Sequence, residues 1–169
     1  MIQQLCLIII LAPLIGSLIA GFFRNQIGRI GAHTVTILGV SISLVLSIYL
    51  AYGILSGHLP THNSLVYNWA NGGDLFPYEF NIGFLIDPLS VVMLVVVTFV
   101  SLLVHIYSIG YMADDNGYQR FFSYISLFTF MMLMLVTSNN FLQLFFGWEG
   151  VGLVSYLLIG FWYQKESAI

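Results

Sequence analysis

Glu149 is a lone acid in the stretch Leu142 to Gly160, which holds no other charged side chain and is long enough to cross a bilayer. A charged side chain at the centre of a membrane helix costs roughly 2.5–3.5 kcal/mol on insertion scales. Such a carboxyl is kept neutral, is partnered, or faces water inside the protein. The chemistry it offers is proton binding. Gly152, Tyr156 and Gly160 follow at three, seven and eleven residues, so all four share one helix face. The glycines admit another helix or leave room for water. The Tyr156 hydroxyl can hydrogen-bond a carboxyl or a water. Two readings stand: a proton-accepting carboxyl on a narrow polar stripe, or a structural glutamate whose hydrogen bonds fix helix packing.

A second stripe, Thr98, Ser101, His105 and Ser108, is spaced by three, four and three residues and again shares a face. His105 falls within about two turns of the end of its apolar segment, where an imidazole can relay protons. The alternative is hydroxyl bonding between helices around a neutral histidine. Thr36, Gly39, Ser43 and Ser47 form a third stripe of small residues, which reads as tight helix packing rather than chemistry. His58 and His62 are four apart, but Pro60 between them opposes a helix that would align them, so they do not read as a zinc site. His33 and His105 lie toward the same side, and depth alone would support a bis-histidine haem. No Gly-rich nucleotide loop and no iron–sulfur cysteine spacing is present, so the chain carries no visible cofactor or metal site.

These stripes need helices that cross a membrane. The 169 residues are 59% hydrophobic and 7% charged, with a mean hydropathy of +0.95. So few charges cannot cover a water-facing surface, which makes this an integral membrane protein in contact with the lipid bilayer. A net charge of −3 gives no reason to expect a nucleic-acid partner. The single cysteine, Cys6, excludes a disulfide framework within the chain and reads as a small apolar residue. The N-terminal run has no Lys or Arg before Arg24, so it reads as a retained helix rather than a signal peptide.

The pattern predicts an all-α membrane fold, a single membrane region over 1–169 with about five helices at 2–23, 30–55, 84–112, 121–138 and 141–163. The connection 56–83 is long. Ser64 to Trp69, an Asn71-Gly72-Gly73 turn and Tyr78 to Ile82 predict a short hairpin outside the membrane. Asp87-Pro88 reads as an N-cap followed by proline at the first helical position. Arg24, Arg29, Arg120 and Lys165 all fall on one side of the alternating passes. The positive-inside rule makes that side cytoplasmic, with the N-terminus outside and the C-terminus inside. Asp74, Glu79 and Asp87 then fall outside, and Asp114, Asp115 and Glu166 inside. With only five helices, the stripes on the second, third and fifth are expected to be exposed and to need partners.

The stretch Phe146-Gly147-Trp148-Glu149-Gly150-Val151-Gly152-Leu153-Val154-Ser155-Tyr156 through Trp162 closely resembles the signature of the subunit L family of proton-pumping NADH:quinone oxidoreductase, respiratory complex I, whose mitochondrial counterpart is chain 5. Leu85 to Ser90, His105-Ile106-Tyr107 with Tyr111-Met112, and Gly117 to Tyr124 resemble family segments in the same order. The resemblance covers nearly the whole chain and implies the N-terminal part of an antiporter-like, proton-translocating subunit of the membrane arm. It implies that Glu149 is the key acid of the proton channel, working with a lysine on a later helix. Lys165, at the membrane edge, does not match that lysine. His105 becomes a candidate relay and Tyr156 a candidate hydrogen-bond partner. The resemblance further implies other membrane-arm subunits as partners, and NADH, FMN, iron–sulfur clusters and quinone in other subunits; a bacterial inner membrane is the expected location, which the resemblance itself does not specify. Two alternatives remain open at this stage: the large subunit of a multisubunit cation/proton antiporter, which shares the signature, and a non-translocating membrane scaffold.

Overall fold

The computed structural model describes residues 1–70, 80–163 and 165. Five helices long and apolar enough to span a bilayer occur among them: α1 (Ile2–Phe22), α2 (Arg24–Leu55), α3 (Pro88–Tyr111), α4 (Tyr118–Val136) and α5 (Phe141–Ile159), the last continued by a 3₁₀ turn, Gly160–Trp162. Large apolar side chains such as Ile15, Val45, Phe99 and Leu153 cover their outer surfaces. Hydrocarbon is the solvent that suits such a surface. The protein is therefore an integral, all-α membrane protein carrying one small hairpin.

That hairpin joins β1 (His62–Ala70) to β2 (Phe80–Ile86), antiparallel, with His62 opposite Ile86 and irregular register after Leu65 and after Asn68. The expected Asn71-Gly72-Gly73 turn, with Asp74, Tyr78 and Glu79, lies outside the described residues, as does Glu166. β2 reaches Ile86, so Phe84–Ile86 are strand, where the hydropathy pattern places the start of the third helix. The reason lies in the next two residues. Proline drives the residue before it into extended backbone, and Asp87 has φ −125°, ψ 176°. The Asp87 carboxylate accepts from Ser90 N–H at 2.7 Å, and the Ser90 hydroxyl accepts from Asp87 N–H at 2.7 Å. This reciprocal cap starts α3 at Pro88, as the Asp-Pro pair predicts. Phe84 and Ile86 are buried and join Ile9, Leu50, Leu94 and Leu133 in the main core, so the hairpin plugs one end of the bundle.

Helices α1, α2, α3 and α4 pack against one another, while α5 lies mainly against α4. Polar bonds between helices fix this arrangement. Pro13 inside α1 has no N–H, which strips the Ile9 carbonyl of its helical donor. Ser43 of α2 donates to that carbonyl at 2.6 Å, and Ser126 of α4 donates to the Pro13 carbonyl at 2.7 Å. Ser17 and Ser123 donate to each other's carbonyls at 2.8 and 2.9 Å, pinning α1 to α4. Gly39 completes the α1–α2 contact, since a Cβ there would lie 2.7 Å from the Ala12 carbonyl oxygen. The small-residue stripe on α2 is thus buried packing. Between Arg24 and the body of α2, Gly28 turns the chain at φ +64°, a conformation that favours glycine.

All four basic residues gather at the end opposite the hairpin. Arg29 donates to the carbonyls of Ala113 and Asp115. The Asp115 carboxylate accepts from Gly117 N–H and from the Trp162 indole, both at 2.7 Å, and lies 3.7 Å from the Lys165 ammonium. Arg120 lies 4.6 Å from the centre of the Phe161 ring, and Lys165 lies 4.1 Å from that of Trp162. These contacts tie the end of α5 to the α3–α4 connection.

Candidate functional site

Asn140 starts α5 as its N-cap, accepting from Gln143 N–H at 2.8 Å, and is held in place by donating to Asn81 of β2 at 2.9 Å. Gln143 is buried, and its side-chain oxygen accepts from Gly83 N–H at 3.0 Å. The hairpin therefore sets where α5 begins. From there Gln143, Gly147, Gly150 and Val154 recur at four, three and four residues and face inward. A Cβ on Gly147 would lie 2.9 Å from Leu135 backbone atoms, so glycine is what lets α5 lie so close to α4. Sequence reasoning missed this inner glycine face. The signal was available, because Gly147 and Gly150 continue the spacing begun at Gln143.

The predicted stripe lies on the other side. Glu149, Gly152, Tyr156 and Gly160 are all exposed, and a Cβ added at Gly152 or Gly160 would meet no atom within 4 Å. Tyr156 has 73% of its surface exposed, so the structure places it on Glu149's open face and not buried against it. Glu149 lines a groove of about 400 Å³ with Gln143, Asn81 and Phe146. The Gln143 Nε2 group is buried there without a hydrogen-bond acceptor. The groove thus combines an acid and an unpartnered amide N–H with largely apolar walls, a place where water or a polar partner would be held.

The stripe on α3 is buried, not exposed as expected. Thr98, His105 and Ser108 are covered by neighbouring helices, and Ser101 is half-buried. The expectation assumed that five helices leave every polar face open, but α1 covers the α2 stripe, and α2 and α4 cover the α3 stripe. His105 Nδ1 lies 2.8 Å from the Ser101 carbonyl oxygen. A carbonyl only accepts, so Nδ1 carries the hydrogen, and in the neutral ring Nε2 then presents a lone pair. That Nε2 is buried and has no partner. Ser101 and Thr129 hydroxyls meet at 2.6 Å beside it, lining a groove of about 480 Å³ between α3 and α4. A neutral imidazole with an unpartnered second nitrogen can accept a proton. Glu149 and His105 line two different grooves.

His33 Nδ1 lies 2.9 Å from the Tyr118 hydroxyl, and the Phe122 ring sits 6.1 Å from both the His33 and His105 rings. A phenyl ring thus borders both histidines. Among the described residues no three His, Cys, Asp or Glu side chains converge as metal ligands. His58 hydrogen-bonds Ser56 at 2.6 Å and stacks on Tyr52.

Five packed spans, a capping hairpin and an acid on an open helix face define a helical membrane-spanning unit with one titratable group in an uncharged span. Residues 69–122 match the family model described as NADH-Ubiquinone oxidoreductase (complex I), chain 5 N-terminus, and residues 138–169 match NADH:quinone oxidoreductase/Mrp antiporter, TM. Subunit L of NADH-quinone oxidoreductase from Neisseria meningitidis is 64% identical over 98% of this chain. The corresponding subunit from Rickettsia conorii is 48% identical over 99%, and chain 5 of the NADH-ubiquinone oxidoreductase of Arabidopsis thaliana is 49% identical over 96%. The chain belongs to this subunit L/chain 5 family of complex I. It spans about a quarter of the length of those relatives, which is 24%, 25% and 24% respectively.

Proposed function

We propose that this chain contributes to proton translocation as part of an antiporter-like membrane subunit of NADH:quinone oxidoreductase, with Glu149 as the proton-binding acid. The observation that carries the reading is the position of Glu149: an acid in an uncharged span, held at a fixed height by the hairpin–Asn140–Gln143 contacts, yet facing out of the five-helix unit. A cation brought near a carboxyl favours its charged form, and withdrawing the cation lets the proton return. An element carrying such a cation against the open face of α5 would load and release a proton at Glu149. Tyr156, two stripe positions further along, would hydrogen-bond the carboxyl or an intervening water. His105, with a free Nε2 lone pair, is a relay in the separate α3–α4 groove.

In this reading the energy comes from electron transfer from NADH to quinone through FMN and iron–sulfur clusters in other subunits. The partners are other subunits of the membrane arm. The clustered Arg24, Arg29, Arg120 and Lys165 support a cytoplasmic basic end and an outer hairpin, in a bacterial inner membrane. Glu149→Gln in the assembled enzyme tests the proposal. The expected result is unchanged assembly and NADH oxidation machinery with proton pumping reduced at least tenfold, about 1.4 kcal/mol or more in the proton-transfer step. Normal pumping by that variant would overturn the assignment.

A further inference from the structure

We propose that the cleft between α1 and α4 at the basic end is a binding site for an anionic phospholipid. The cleft encloses about 390 Å³ and has Arg24 and Arg120 on its rim. Arg24 is exposed and has no hydrogen bond or ion pair among the described residues. Arg120 is only partly used: one terminal nitrogen lies 3.4 Å from the Phe161 carbonyl, and its Nε–H is buried without an acceptor. Asp115 draws on the Arg120 charge from the far side, which leaves Arg24 as the uncompensated cation of the pair.

The cleft changes character with depth. Leu18 and Phe22 of α1 and Tyr124 and Leu127 of α4 form its walls below the arginines. Leu127 lies seven residues beyond Arg120, about 10 Å deeper into the membrane. The floor stays open because position 21 is glycine, where a Cβ would lie 2.9 Å from the Ser123 hydroxyl. Guanidinium groups bind phosphate in a forked geometry. A phosphate held at the rim would send an acyl chain along the apolar walls, which a free phosphate ion cannot use. Basic pockets between spanning helices on the cytoplasmic side recognise acidic headgroups in this way.

The test is native mass spectrometry of the detergent-purified protein offered equal amounts of phosphatidylglycerol and phosphatidylcholine with matched acyl chains. The expected result is selective retention of phosphatidylglycerol, reduced about fivefold by Arg24→Gln and only partly restored by Arg24→Lys, which keeps the charge but not the fork. Arg24 has no partner to lose, so thermal unfolding should not change in either variant. Lys165→Gln, at the same end but outside this cleft, should leave selectivity intact. Equal losses in Arg24→Gln and Lys165→Gln would mean a diffuse charge effect and would overturn the site. No preference between the two lipids, or displacement of the lipid by millimolar inorganic phosphate, would overturn it as well.

Discussion

At the scale of single residues, the groups that decide the chemistry are few, and the membrane makes each of them expensive. Glu149 stands out in the sequence because an isolated acid in an apolar run is costly to keep. Asp87-Pro88 was legible because an N-cap and a first-turn proline are local signals. The partners of Pro13 were not, since nothing near Pro13 in sequence says that Ser43 will donate to Ile9. That pairing exists only once α1 and α2 lie side by side. It carries a prediction: Ser43→Ala leaves the Ile9 carbonyl without a donor in a water-free interior. The expected destabilisation is about 0.6–1.7 kcal/mol, the range for hydrogen bonds between membrane helices, measured by denaturation in mixed micelles. Ser64, which lies on the hairpin, should give no comparable loss at the α1–α2 contact.

At the scale of elements, the two glycine faces of α5 do different work. Gly147 and Gly150 let the helix lie against α4, whereas Gly152 and Gly160 share the open face with Glu149. Gly147→Ala is expected to destabilise the protein by about 1–3 kcal/mol through overpacking against Leu135. Gly152→Ala should leave thermal stability unchanged and, in the assembled enzyme, lower pumping by crowding whatever approaches Glu149. Matched melting curves and pumping assays on the two variants separate these outcomes. Hydropathy found all five spans, because length and apolarity are enough to define them. It misplaced the start of the third because Phe84–Ile86 are as apolar as the helix that follows. Only the extended backbone before Pro88 distinguishes strand from helix there. The inward turn of the α2 and α3 stripes was also beyond the sequence, since periodicity defines a face without saying what covers it.

At the scale of the whole molecule, the hairpin plug at one end and the Asp115 cluster at the other hold α5 in place against the four-helix group. Burial works against the charge on Asp115. The Gly117 N–H, the Trp162 indole and the Lys165 and Arg120 charges outweigh it and hold the carboxyl below its ordinary value of 3.8. A carboxyl lowered in the folded state contributes stability above its unfolded value, and that contribution fades as pH falls through the folded one. The melting-temperature difference between the wild type and Asp115→Asn should therefore be full at pH 7 and shrink progressively below pH 3.8. A difference that persists unchanged at pH 2 would show that the cluster acts through packing alone. With both ends fastened, α5 presents an open face that carries Glu149, the acid proposed to bind the proton.

The most direct measurement is infrared difference spectroscopy of the assembled enzyme during NADH-driven turnover, with Glu149→Gln as the reference. The predicted result is a carboxylic C=O band that appears and disappears with turnover and is missing from the Glu149→Gln spectrum. A carboxyl at position 149 that stays in one protonation state while protons are pumped would contradict the account.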